Sequence, residues 1–105
     1  MKAKALAVFS SLIEKEKYVL ADFFADWCEP CKVLDEILDK VNALTNEKIF
    51  IEKINVDESK KLSESFQVLS VPVLIFFKNG KQVWRMNGFL TAPELVKNLE
   101  KFLDT

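Results

Sequence analysis

The 105-residue chain has no histidine, two glycines, three prolines and one tyrosine, and its two cysteines lie three positions apart. Without histidine it lacks the one side chain whose ordinary pKa lies near neutrality, and the commonest metal ligand. Low glycine and proline exclude collagen-like and low-complexity composition. The longest apolar run, Val71 to Phe77, is far short of the roughly 20 residues a membrane helix needs. Its 15 basic and 16 acidic side chains, net charge −1, are spread along the chain without a block of either sign. No basic stripe interleaved with aromatics points to nucleic acid, and no acidic tail points to a solvating segment. Repeats and linkers are also absent, so residues 1–105 are expected to form one domain. Half the residues are hydrophobic, including nine phenylalanines, enough for a core without staples.

The amino terminus faintly imitates a signal peptide, with Met1-Lys2-Ala3-Lys4 ahead of the apolar Ala5 to Ile13. Ser10-Ser11 interrupts that run, and Glu14-Lys15-Glu16-Lys17 follows at once. With no small-residue cleavage pattern, the expected location is cytoplasmic.

Tyr18 to Phe24 is apolar on both alternating faces except at Asp22, the pattern of a strand covered on both sides. Val33, Leu34, Ile37, Leu38, Val41 and Leu44 recur at helical spacing from Pro30 to Leu44. Ile49 to Val56 is a second β-rich run, and Lys60 to Phe66 a short helix carrying Leu62 and Phe66. Strand, helix, strand at this length implies parallel neighbours with a right-handed crossover. Val73 to Phe77 and Gln82 to Met86 then flank Asn79-Gly80, which suits a type I′ hairpin. Thr91-Ala92-Pro93-Glu94 has capping-box spacing and opens a helix burying Leu95, Val96, Leu99, Phe102 and Leu103. Leu6 to Lys15 reads as helix. Lys2 to Ala5 is a candidate edge strand, although Ala and Lys are poor strand formers. The fold class is α/β: a mixed sheet of four or five strands, with helices on both faces. Phe9, Phe23, Phe50, Phe66, Phe76, Phe77 and Phe102 are expected in the core, and Trp84 as packing.

Both cysteines belong to Trp27-Cys28-Glu29-Pro30-Cys31, between a strand and a helix. A zinc site wants four Cys or His ligands, and the chain offers two, so no metal is expected. A structural disulfide closing so short a loop contributes roughly 2 kcal/mol, less any strain. A redox pair explains the position. Unpaired N–H groups and the positive dipole end at a helix start favour a thiolate at Cys28. Cys31 follows on the same helical face, able to attack a mixed disulfide at Cys28. Pro30 suits a first turn, where its missing N–H costs nothing. A C-x-x-C in this setting reads as a redox motif.

At these residues the chain resembles the thioredoxin family. The likeness rests on Val19 to Lys32, which includes the cysteines, and on Lys53-Ile54-Asn55-Val56-Asp57, Ser70-Val71-Pro72-Val73, Lys78-Asn79-Gly80 and Gly88, in the family's order and spacing. It implies the thioredoxin fold and a protein-disulfide reductase working through a Cys28–Cys31 dithiol/disulfide couple. Cys28 would be the nucleophile and Cys31 the resolving thiol. Pro72 would be a cis-proline beside them, and the Val71 backbone would pair with a bound peptide. Trp27, Pro30, Val71, Pro72 and Gly88 would line a shallow apolar substrate groove, with Glu29 beside it. Disulfide-containing proteins would be the substrates and a thioredoxin reductase the electron donor; a monomer without cofactor is expected.

Asp22 is the lone acid in its apolar strand, where desolvation raises a carboxyl pKa towards neutrality. Lys53 shares a face with Ile49 and Ile51 and is placed for an ion pair with Asp22 if the strands neighbour. One reading makes the two a structural buried pair. The resemblance makes Asp22 the proton acceptor for Cys31 during release, directly or through water.

The chain departs from the family at Glu29, where Gly is usual, at Glu36, where Pro is common, and at Phe24, where Trp is frequent. Gln67 and Ser70 replace glycines, and the amino terminus is shorter. Two rival functions are an oxidant or isomerase, and a binding module acting through the groove alone. The absence of a secretory signal disfavours the first; the intact cysteines, Asp22 and Pro72 disfavour the second.

Overall fold

The computed structural model describes residues 2–104; Met1 and Thr105, the ends of the expected domain, lie outside them. The elements are α1 (Lys2–Lys15), β1 (Tyr18–Phe24), α2 (Glu29–Leu44), β2 (Phe50–Asn55), α3 (Lys60–Ser65), β3 (Val73–Lys78), β4 (Lys81–Asn87) and α4 (Ala92–Glu100). The sheet has four strands in the order β2-β1-β3-β4. β1 runs parallel to β2 and antiparallel to β3, and β3 is antiparallel to β4. The candidate edge strand at Lys2–Ala5 is instead the first turn of α1, as the stronger helix propensity of Ala and Lys favours. β2 is therefore an edge of the sheet.

β1 occupies the middle and is buried from Tyr18 to Phe23. Its alternating side chains feed two cores, as a strand period of two requires. Leu20 packs with Leu34, Leu38 and Val41 of α2 and with Leu95 and Leu99 of α4. Val19, Ala21 and Phe23 pack with Phe9 of α1 and Leu62 of α3. Helices α2 and α4 thus cover one face, and α1 and α3 the other. Asp22 alternates with Ala21 and Phe23, so it falls on the face of Leu20 and α2.

The hairpin joining β3 to β4 turns on Asn79 and Gly80, both at positive φ (52° and 81°), which a type I′ turn demands. At α4 both halves of the capping box form: Thr91 accepts from the Glu94 N–H, and the Glu94 carboxylate accepts from Thr91. Three core expectations change. Phe50 is 42% exposed at the sheet edge, and Val33 and Leu44 lie on the solvent side of α2. α2 presents a narrower stripe to the sheet than its apolar residues suggested. Phe102 and Leu103 lie beyond the end of α4 in a turn and still pack against the core.

Candidate functional site

The site forms where β1 ends and α2 begins. After Phe24 the chain turns, with the Cys28 N–H donating to Ala25 O at 3.2 Å. Cys28 then caps α2 from an extended conformation, with Pro30 in the first helical turn. Its Sγ accepts from the backbone N–H of Cys31 at 3.2 Å. Thus a backbone donor of the helix start is aimed at the Cys28 sulfur, the arrangement that stabilises negative charge there. Cys28 and Cys31 are joined as a disulfide, with Cα atoms 5.3 Å apart. Both residues are buried, in a small cluster with Ala25, against which Phe24, Val56 and Val71 pack.

The loop before β3 supplies Val71 and Pro72, and the chain just beyond β4 supplies Gly88. The Val71–Pro72 peptide bond is cis, Pro72 is buried and Val71 rests on the cysteine cluster. Gly88, at φ 103°, donates its N–H to Pro72 O at 2.8 Å. A Cβ there would meet nothing within 4 Å, so its backbone conformation rather than lack of space favours glycine. Trp27 is 70% exposed, and its indole Nε1 donates to Asp57 at 3.0 Å. A groove of about 100 Å3 beside it is lined by Trp27, Val56, Val68, Leu69, Ser70 and Val71. Small-molecule pockets run to about 300–1,000 Å3, so this groove has room for a side chain rather than a free metabolite. Glu29 and Pro30 are exposed, and Glu29 pairs with Lys32 at 3.1 Å.

Asp22 lies within the sheet, fully buried, and among the described residues neither of its carboxylate oxygens has a hydrogen-bond partner. Burial raises its pKa from 3.8 to about 7; Lys53 opposes that rise and Asp35 adds to it. Lys53 is directly across from Asp22 in the β1–β2 register. The expected direct ion pair between them does not form. The Lys53 ammonium instead bonds the carboxylate of Asp35 on α2, 2.5 Å away, and lies 4.6 Å from the centre of the Phe24 ring. Asp35 is about half exposed, so pairing there spares Lys53 the desolvation that the buried Asp22 would impose. A cavity of about 240 Å3 lies beside Lys53 and Asp35, lined by Phe24, Ala25, Asp26, Cys31, Lys32, Asp35 and Lys53. A larger groove of about 510 Å3 runs along β2 and α2 and shares Asp35 and Lys53 with that cavity, without either cysteine in its lining. Among the described residues no group of three or more His, Cys, Asp or Glu could hold a metal ion, and no helix is long and apolar enough to cross a membrane.

Asp35 and Arg85, and the role of Asp57, carry little signal in the sequence. Asp35 stands one helical turn beyond Cys31, a spacing that could have placed it beside the motif. Asp57 lies in the quoted stretch after β2, but nothing local shows its bond to Trp27. Arg85 donates to the carbonyls of Phe66 and Gln67 in the loop before Pro72, a long-range contact with no sequence signature.

The thioredoxin family model matches residues 1–101. A chloroplastic thioredoxin Y of rice is 36% identical over 98% of this chain, which spans 62% of that protein's length. A thioredoxin of Alicyclobacillus acidocaldarius is 34% identical over 92% of each chain. The solved thioredoxin of Plasmodium falciparum superposes with a TM-score of 0.80 at 32% identity, covering 92% of this chain and 93% of that one. The chain belongs to the thioredoxin family of thiol–disulfide oxidoreductases and carries that family's redox-active pair as Cys28 and Cys31.

Proposed function

We propose that the chain reduces disulfides of protein substrates, with Cys28 as nucleophile, Cys31 as resolving thiol and Asp22 as proton acceptor. In the dithiol form the Cys28 thiolate attacks one sulfur of a substrate disulfide. A Cys28–substrate S–S bond forms, the substrate bond breaks, and the departing sulfur takes a proton from solvent. Cys31 then gives its proton to the Asp22 carboxylate, directly or through water, and attacks the Cys28 sulfur. The Cys28–Cys31 disulfide closes, and the second substrate sulfur leaves as a thiolate and is protonated. Two electrons and two protons have passed to the substrate. A thioredoxin reductase returns the electrons.

The observation that carries this reading is the Cys28 sulfur at the start of α2, receiving the Cys31 N–H, with Cys31 lining the cavity beside Lys53 and Asp35. Asp22, with a pKa near 7, exists in both protonation states at neutral pH and is thereby suited to exchange protons. Trp27, Pro30, Val71, Pro72 and Gly88 form the substrate surface, Glu29 stands at its rim, and the Val71 backbone pairs with the bound peptide. The chain acts as one monomeric domain without cofactor, metal, nucleic acid or membrane. A reducing cytoplasm suits it, because that compartment keeps the dithiol form available.

The test is insulin-disulfide reduction driven by a thioredoxin reductase, combined with trapping. Cys31→Ser should accumulate a mixed disulfide with substrate and Cys28→Ser should not, and alkylation of the dithiol at neutral pH should label Cys28 first. Faster labelling of Cys31 reverses the assignment. Substrate binding without any insulin reduction favours the binding module instead.

A further inference from the structure

Lys53 stands between two carboxylates and bonds the one that the sequence reading did not consider. It faces Asp22 across β1 and β2, whose two oxygens have no partner, yet its ammonium is held by Asp35 and lies over Phe24. We infer that Asp35 is a positioning residue for the proton-accepting step: by holding the Lys53 ammonium it keeps that cation off the Asp22 carboxylate. The inference rests on the reading of Asp22 as proton acceptor.

Asp22 and Asp35 compete for the Lys53 ammonium. A lysine stem is long and rotatable, and residues paired across neighbouring strands project to the same sheet face. Lys53 therefore starts from a place suited to Asp22. Meeting a buried carboxylate requires stripping water from both charges, whereas Asp35 offers a half-exposed partner at lower cost. The Phe24 ring adds a cation–π attraction at the Asp35-bound position. Removing the Asp35 charge takes away the partner that holds Lys53 and frees its ammonium to turn towards Asp22, the acid opposite it in the sheet.

The charged surroundings of Asp22 are few. β2 supplies Lys53, and α2 supplies Asp35. Asp26 and Lys32 line the cavity beside Lys53 and Asp35. β3 places Leu74 opposite Asp22, and α4 turns Leu95, Val96 and Leu99 inward. Asp35 can thus raise the proton affinity of Asp22 in two ways, through its own charge and by withholding Lys53. Burial is the larger cause and belongs to neither. Withholding Lys53 is the route inferred here, and a mutant cycle separates the two.

The experiment follows the Asp22 carboxyl by 13C NMR of aspartate-labelled protein through a pH titration. The proteins are the native chain, Asp35→Asn, Lys53→Met and the double variant; Lys53→Gln replaces Lys53→Met if the latter fails to fold. Asp35→Asn should lower the Asp22 midpoint by about one unit or more, the low end of what an adjacent opposite charge does. In the Lys53→Met background the same change should move it by much less. An equal shift in both backgrounds means that Asp35 acts by its own charge alone and overturns the inference, as does no shift in either. The pH profile of substrate release from Cys28, measured before the steady state, should move to lower pH in Asp35→Asn together with the titration midpoint. Release indifferent to Asp22→Asn overturns the proton-acceptor reading, and with it any catalytic consequence of Asp35, even where the titration cycle holds. Release that depends on Asp22 beside a null cycle removes the role of Asp35 alone.

Discussion

The guanidinium of Arg85, on β4, donates to the backbone carbonyl of Gln67 at 2.8 Å, and a second nitrogen reaches the carbonyl of Phe66. Two carbonyls of the loop before Pro72 are thereby tied to the sheet. Gln67 itself is left-handed, with φ 55°, a conformation that costs a non-glycine residue roughly 1–2 kcal/mol.

Arg85→Ala should therefore destabilise the protein by about 2 kcal/mol, since hydrogen bonds to charged groups contribute about 1.5–3 kcal/mol and this site is partly exposed. KM for a disulfide substrate should rise more than kcat falls, because the groove wall loosens while the cysteines stay in place. Gln67→Gly should act in the other direction. Relief of the left-handed strain, about 1–2 kcal/mol, offset by about 0.5–1 kcal/mol of extra unfolded-state entropy, leaves a net gain of up to about 1.5 kcal/mol. Urea melts of both variants check the two signs; a cost below about 0.5 kcal/mol for Arg85→Ala would show that the loop is held by packing instead.

Asp22 should give the oxidised protein a stability that falls with pH. Its folded pKa, about 7, lies above the ordinary 3.8, so the folded state holds the proton more tightly than the unfolded chain. Stability is fully present below about pH 4, declines as pH rises, and levels off above about pH 7. The shift, at 1.36 kcal/mol per unit, corresponds to a loss on the order of 4 kcal/mol. Asp22→Asn should flatten this profile, stabilising the fold by a few kcal/mol at pH 8 and by little at pH 4.5. Equilibrium unfolding across that window decides the matter, and a native profile that does not fall would mean that Asp22 is solvated or paired in solution.

Much of this was legible in the sequence because it is written in local chemistry. The period-two alternation of Val19 to Phe23 requires two apolar faces, Thr91 and Glu94 spell a cap, and Asn79-Gly80 spells a turn. The dithiol was legible for the same reason, since Cys28 and Cys31 frame a helix start. What escaped depends on neighbours brought from far along the chain. Phe50 has the apolar character of a core residue, but its strand is at the sheet edge, and nothing within β2 states that. Val33 and Leu44 fit a helical repeat, although only part of that stripe meets the sheet. Lys53 shares a strand face with Ile49 and Ile51, which makes a pair with Asp22 readable, yet its actual partner depends on Asp35 arriving from α2. Burial of Asp22 was inferable from its apolar strand; the lack of any partner for its two oxygens was not.

The last prediction concerns Glu29, which stands where the family usually has glycine. Its carboxylate is exposed and paired with Lys32 at 3.1 Å, so much of its field at the Cys28 sulfur is answered nearby. Surface pairs of this kind contribute about 0–1 kcal/mol, and the helix dipole favours an anion at this end in any case. A change of up to about 0.5 kcal/mol in the dithiol–disulfide balance is roughly 10 mV, since 30 mV corresponds to about 1.4 kcal/mol. Glu29→Gly should therefore move the equilibrium potential by about 10 mV or less. Encounter with substrates should change more, because a rim charge acts on approach and its action is screened by salt. Removing Glu29 leaves Lys32 unpaired, so acidic substrates should be reduced faster and basic ones more slowly at low ionic strength. The difference should shrink by 0.5 M salt. A potential shift of several tens of millivolts with unchanged substrate preference would place the effect of Glu29 in the backbone or hydrogen bonding of the helix start rather than in its charge.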